Sequence, residues 1–219
     1  MNLDILAIAA HPGDAEAACG GTLMRMAGQG YRTGVLDLTA GDVRAEGGPE
    51  ERLAAAQVAA GRLKLEWRDN QRMPDGRLEN SLAARMTLAV RIRELKPRVV
   101  ILPDGAAEDP DEVHCRELGM EACFLAGLAK LEEYSEPHRP KRILFASFFG
   151  DVRPSFVVDI SAQFAARVEA LRSYGFEGGA GGLERMEALA RFHGSRIGAR
   201  YGEPFVMKEV PAVPDIVRI

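Results

Sequence analysis

The feature that most limits what this chain can fold into is an alternation. Short apolar runs at 4–10 (DILAIAA), 33–38 (TGVLDL), 65–68 and 98–102 (RVVIL) are separated by segments with helical signals. A continuous apolar run of this length suits a strand buried on both faces. The helices between them are expected from Gly20–Gly21 through Gly28, from Pro49 to Gly61, from Asn80 to Leu95 before Pro97, and over about 114–130. Proline is favoured in a first helical turn and ends a helix that precedes it, which places two of these boundaries. Strands joined through helices lie parallel, with right-handed crossovers. Further strands at 142–149, 155–160 and 204–209 and helices at 161–174 and 183–198 complete the pattern. The expectation is one domain over 1–219, an α/β fold with a Rossmann-like, mostly parallel sheet and helices on both faces. The simplest winding orders the first five strands 3-2-1-4-5. The FEGGAGG run at 176–182 is the one plainly flexible segment.

Ligands of such sheets bind at the carboxyl ends of the strands, where the winding reverses. Here that point lies between strands 1 and 4, so the loops 11–22 and 103–114 are the ones to search. Dinucleotide chemistry is argued against, because no GxGxxG follows strand 1; GQGYRTG (28–34) precedes a strand and suits a helix-to-strand turn. The backbone N–H groups of Gly20 and Gly21 could still face an anion at a helix start.

Composition excludes other classes. A net charge of −4 with no basic block gives no footprint for nucleic acid. No apolar stretch approaches the roughly 18–20 residues of a membrane span, and the N-terminus lacks a basic leader, so a cytoplasmic protein is expected. Cys19, Cys115 and Cys123 have no CxxC spacing and suggest buried thiols instead of a disulfide or a cysteine zinc site. His138, between two prolines, is expected in solvent, and His193 in packing or at the surface.

Strand 1 runs into Ala10-His11-Pro12-Gly13-Asp14-Ala15-Glu16. Imidazole nitrogen and carboxylate oxygen three residues apart suit two ligands of a divalent ion, with a third protein ligand leaving a position for water. A hydrogen-bonded loop pair is the other reading of the same two residues.

AHPGDAEAACGGT resembles the AHPDDxExxxGGT motif of the LmbE/PIG-L family of zinc-dependent N-deacetylases. DLTAGD (37–42), GPEER (48–52), PDGRLEN (74–80), RPSFVVDIS (153–161) and YGEPF (201–205) resemble later segments of that family in order. The likeness is nearest to the branch that deacetylates N-acetylglucosaminyl-malate for bacillithiol synthesis. It implies metal ligation by His11 and Asp14, substrate contacts from Arg52 and Asp42, a small N-acetylated sugar-like ligand, and a homo-oligomer, often a hexamer. Two motifs depart from the family. Gly13 stands at the position of the aspartate base, and Asp109-Pro110-Asp111-Glu112 falls over the family's HPDH. Glu112 then becomes the third metal ligand, with His114 the alternative, and Asp109 a possible substitute base. Two carboxylates beside one imidazole favour harder ions over zinc, so zinc is expected to bind but weakly. The sequence thus leads to a degenerate, impaired metal-dependent amidase, or else an inactive homologue that keeps the pocket for a sugar-like ligand or for assembly.

Overall fold

The computed structural model describes residues 1–43, 48–105, 109–130, 136–147, 152–175, 182–212 and 215. Seven strands form one sheet: β1 (Ile5–Ala9), β2 (Thr33–Thr39), β3 (Trp67–Met73), β4 (Val99–Pro103), β5 (Arg142–Ala146), β6 (Phe156–Asp159) and β7 (Gly202–Met207). Their order is β3-β2-β1-β4-β5-β7-β6. The first five are parallel, as the alternation requires, and β7 runs antiparallel to both β5 and β6. Among the described residues no helix is long and apolar enough to cross a membrane.

Alternating strand side chains feed two cores. Leu6, Ile8, Leu36, Leu38, Val100 and Leu102 meet α3 (Leu82–Leu95) and α4 (Pro110–Ala126) through Leu88, Ile92, Cys115 and Leu118. Ala7, Ala9, Val35 and Ile101 meet α1 (Asp14–Gly28) through Ala15, Cys19 and Leu23. The small residues on this second face let α1 lie close to the middle of the sheet. Outside α1 stand α2 (Pro49–Leu63) and α5 (Phe164–Arg172), while α6 (Gly182–Ser195) packs on β6 and β7.

Several expected boundaries move. Helix α1 begins at Asp14, not at Gly20, because Gly13 turns the chain into the helix directly after the Pro12 loop. Helix α4 begins at Pro110 with Asp109 as its cap. Strand β3 extends to Met73 although its residues are polar, since an edge strand is paired on one side only and leaves much of its length half-buried. Strand β5 ends at Ala146, and β7 starts two residues earlier than expected. His138 is half-buried and its Nε2–H donates to Pro97 O at 2.7 Å, so it is not in open solvent. Residues 176–181 of the FEGGAGG run lie outside the described residues.

An anion does lie against the Gly20–Gly21 pair, on the N–H groups of Gly21 and Thr22 in mid-α1 and not at a helix start, and it belongs to this chain. The Glu203 carboxylate on β7 accepts the N–H groups of Gly21 at 2.9 Å and Thr22 at 2.7 Å. Arg167 of α5 pairs with Glu203 at 3.3 Å and donates to the carbonyls of Glu16, at 3.1 Å, and Ala17. A buried ion pair therefore lies against the backbone of mid-α1. A Cβ at Gly21 would come within 3.0 Å of Glu203 Oε1 and closer still to Ile160, so glycine permits the approach.

Candidate metal centre

The chain leaves β1 at its carboxyl end and is held there by Thr39 of β2, whose N–H and hydroxyl donate to Ala10 O at 3.0 and 2.9 Å. His11 follows, 9% exposed. Gly13 caps α1 with φ +109°, a conformation that side-chain-bearing residues rarely adopt. Asp14 opens the helix. Its Oδ2 accepts the His11 backbone N–H at 2.9 Å and lies 3.1 Å from His11 Nδ1. On the other side of the ring, Nε2 lies 3.1 Å from Asp75 Oδ1 and 3.4 Å from Asp111 Oδ2. Asp109 Oδ2 stands 3.9 Å from Nδ1.

These carboxylates are fixed by backbone N–H groups from neighbouring loops. Asp75, in the turn after β3, accepts from Val43 N at 2.7 Å and from the Thr39 hydroxyl at 3.3 Å. Asp111, in the first turn of α4, accepts from Gly76 N at 2.7 Å and Leu78 N at 3.1 Å. Asp109 caps α4 by accepting Asp111 N at 2.9 Å. A carboxylate has about four lone-pair sites, so these bonds leave capacity facing the imidazole.

Charge at this end of the sheet is lopsided. Burial works against the imidazolium of His11, but the hydrogen bond to Asp14 and the charges of Asp14, Asp109 and Asp75 together raise its pKa to about 9. Burial, followed by the charges of Asp14 and Asp109, pushes Glu112 up to about 7. The His11 shift describes a pocket with more negative charge than its own residues neutralise.

The donor set fits a divalent cation. His11 Nε2 is buried and makes no hydrogen bond among the described residues. His11, Asp75 and Asp111 bring one ligand atom each within 4.8 Å of one another. One imidazole nitrogen and two carboxylate oxygens neutralise a divalent charge at a protein-built site.

The structure therefore corrects the expectation of a degenerate and impaired site, and with it that of an inactive homologue. Gly13 stands where the family motif has an acid, yet the His11–Asp75–Asp111 group is intact, with its carboxylates supplied by the turn after β3 and the head of α4. Nor does the group show a weakened site for an ion.

The expected residues fall as follows. His11, Asp14 and Asp109 converge, and Glu112 feels the charges of the last two. The His114 Nδ1–H donates to Leu78 O, which turns its ring toward the 76–78 loop, outside the His11–Asp75–Asp111 group. Arg52 Nη2 donates to Pro12 O at 3.0 Å, and Asp42 is exposed. Sequence reasoning missed Asp75 because MPDG (73–76) signals a turn. Its position after strand 3, at the same end of the sheet as His11, was the available clue. It also passed over Asp111 in favour of Glu112.

The family model described as "PIG-L: GlcNAc-PI de-N-acetylase" matches residues 6–123. The chain is 25% identical over 221 residues to the diacetylchitobiose deacetylase of Thermococcus kodakarensis, covering 91% of this chain and 80% of that protein. The crystal structure of the conserved protein TT1542 from Thermus thermophilus superposes with a TM-score of 0.92 at 40% identity, covering 97% of this chain and 98% of that one. The N,N'-diacetylchitobiose deacetylase of Pyrococcus horikoshii shares the fold, with a TM-score of 0.84 at 21% identity, 98% of this chain and 88% of that chain being covered.

Proposed function

The chain belongs to the PIG-L family, and on that premise we propose that it is a metal-dependent hydrolase of the acetamide of a small N-acetylated amino sugar. The observation that carries this reading is the buried His11 Nε2, without a hydrogen bond among the described residues and facing Asp75 and Asp111. In this reading His11 Nδ1–H donates to Asp14, which fixes the tautomer and leaves Nε2 for the ion, with Asp75 and Asp111 as its oxygen ligands. A bound divalent ion supplies Lewis-acid chemistry at the amide carbonyl. Glu112, half-buried beside Asp14 and Asp109, is assigned the proton transfer, with Asp109 capping the helix that carries it. Arg52, and Asp42 in the loop just after β2, are assigned to substrate.

A second arrangement is favoured by the 3.1 Å approach of Asp14 to Nδ1. With the opposite tautomer the ion sits on Nδ1 with Asp14 and Glu112, and Asp75 becomes the acceptor that orients the ring. A homo-oligomer, up to a hexamer, and a cytoplasmic location complete the proposal, the first being measured by light scattering.

The test is elemental analysis after gentle purification, joined to acetate release from N-acetylglucosaminyl-malate and N,N'-diacetylchitobiose with and without a chelator. Metal content near one per chain and chelator-sensitive acetate release are expected, both lost in His11→Ala. Chelator-insensitive release, or none from either compound in the metal-loaded protein, sinks the reading.

A further inference from the structure

Resting on the assignment of Arg52 to substrate, we infer that Tyr174 is a positioning residue of this site: its ring is the platform that holds the Arg52 guanidinium for an anionic group of the ligand. Arg52 reaches across from α2, and among the described residues its side chain has one hydrogen bond, to Pro12 O at 3.0 Å. A single bond leaves a long side chain free to rotate about it. The second restraint is the Tyr174 ring, whose centroid lies 5.3 Å from the Arg52 guanidinium carbon. A cation over an aromatic face is held both by the ring's charge distribution and by area. The guanidinium then sits at the point where the loops converge, since a Cβ at Gly41 would meet Arg52 Nη2 at 3.3 Å and His11 Cβ at 3.4 Å.

The platform is itself anchored. Tyr174 follows the end of α5, and its hydroxyl donates to Glu16 Oε1 at 2.7 Å. Glu16 is fully buried on α1, two residues past Asp14, and is paired with Arg68. Arg68 also holds Asp37 of β2 at 2.9 Å and Ala56 O at 3.2 Å, on the same helix as Arg52. The circuit closes through α1, the end of α5, α2 and the edge of the sheet. Gly13 contributes to it, because the Tyr174 ring carbons stand 3.7 and 3.8 Å from where a side chain at 13 would begin.

What the platform presents is an unmet donor. Arg52 Nε is buried and has no hydrogen-bond partner among the described residues. A buried N–H without an acceptor is costly unless a ligand oxygen supplies one. The guanidinium fork suits carboxylate or phosphate oxygens. The ligand class is therefore an amino sugar conjugate that carries an anionic group, held at Arg52 while its amide lies toward His11.

The experiment is calorimetric titration of the metal-loaded protein with glucosaminyl-malate, which bears carboxylates, and with neutral methyl glucosaminide. The wild type should prefer the first. Tyr174→Leu should weaken glucosaminyl-malate about tenfold and leave methyl glucosaminide within about twofold, the size of a partly desolvated cation–π contact. Tyr174→Phe keeps the ring and should stay within about twofold of wild type for both. Arg52→Ala should remove the preference, and adding Tyr174→Leu to it should cost little more, since two residues acting through one contact are not additive. If Tyr174→Leu does not fold, Tyr174→Gln removes the ring while keeping a polar arm toward Glu16 and carries the same expectation. No wild-type preference, equal loss of both ligands, or additive losses would overturn the inference. Selective binding without acetate release would instead overturn the proposed hydrolysis and leave Tyr174 in its role.

Discussion

Two of the regions where this molecule buries charge do so in opposite ways. Against the middle of α1, Arg167 and Glu203 form a pair in which the cation also donates to two helix carbonyls and the carboxylate accepts two helix N–H groups. Charge is matched one for one, and backbone dipoles complete the bonding. At the carboxyl end of β1, one imidazole faces the carboxylates of Asp14, Asp75, Asp109 and Asp111, with Glu112 close enough for its charge to be felt. Neutralised pairs hold structure, whereas a surplus of one sign, built at a strand end and fixed by backbone N–H groups, is where an external cation belongs.

The largest effect is expected in the matched region. Arg167→Met leaves Glu203 buried without its counter-charge and should cost about 3–5 kcal/mol, seen in urea denaturation as a lower midpoint with an unchanged slope. A loss under about 1 kcal/mol would mean that the pair is solvated, and the contrast between the regions would fail.

The surplus region should respond through metal and less through folding. Asp75→Asn should lower the affinity for zinc or manganese by about a hundredfold and Asp14→Asn by about tenfold, because a ligand outweighs the partner that orients it. Competition with a chromophoric chelator measures both. The reverse order would sharpen the picture differently, placing the ion on Nδ1 with Asp14 and Glu112.

The last effect concerns pH in the metal-free protein. His11 has its pKa raised to about 9 from 6.5, so its stabilising contribution is complete below about 6.5 and is lost as pH rises through 9. Stability should decline over that window, a slope absent in His11→Gln. Metal uptake at pH 7 should release a proton, because the ion must displace it from the ring; calorimetry in buffers of different ionisation enthalpy reads this directly. Uptake without proton release would place the ion away from His11.

The legibility of the two regions differs for a physical reason. The run DILAIAA, followed by His11 and Asp14, was readable because a strand buried on both faces must be apolar and the residues that follow need not be. The start of α1 was missed because Pro12 and Gly13 look like loop residues, and only the backbone shows that φ +109° at Gly13 turns the chain straight into the helix. Strand β3 was cut short because polar residues on an edge strand carry no apolar signal. Asp75 went unnoticed because an aspartate before glycine usually makes a turn, which it does here as well.

The α/β class, the order of the first five strands and the place of His11 and Asp14 just past β1 were legible in the sequence. Those features are local, set by periodicity, strand burial and the short loop after β1. Packing alone brings Asp75 and Asp111 to face His11 Nε2, Glu203 and Arg167 together across α1, and Tyr174 under Arg52. Each of these joins residues far apart in the chain, and side-chain direction at such distances is fixed by how strands and helices pack against one another.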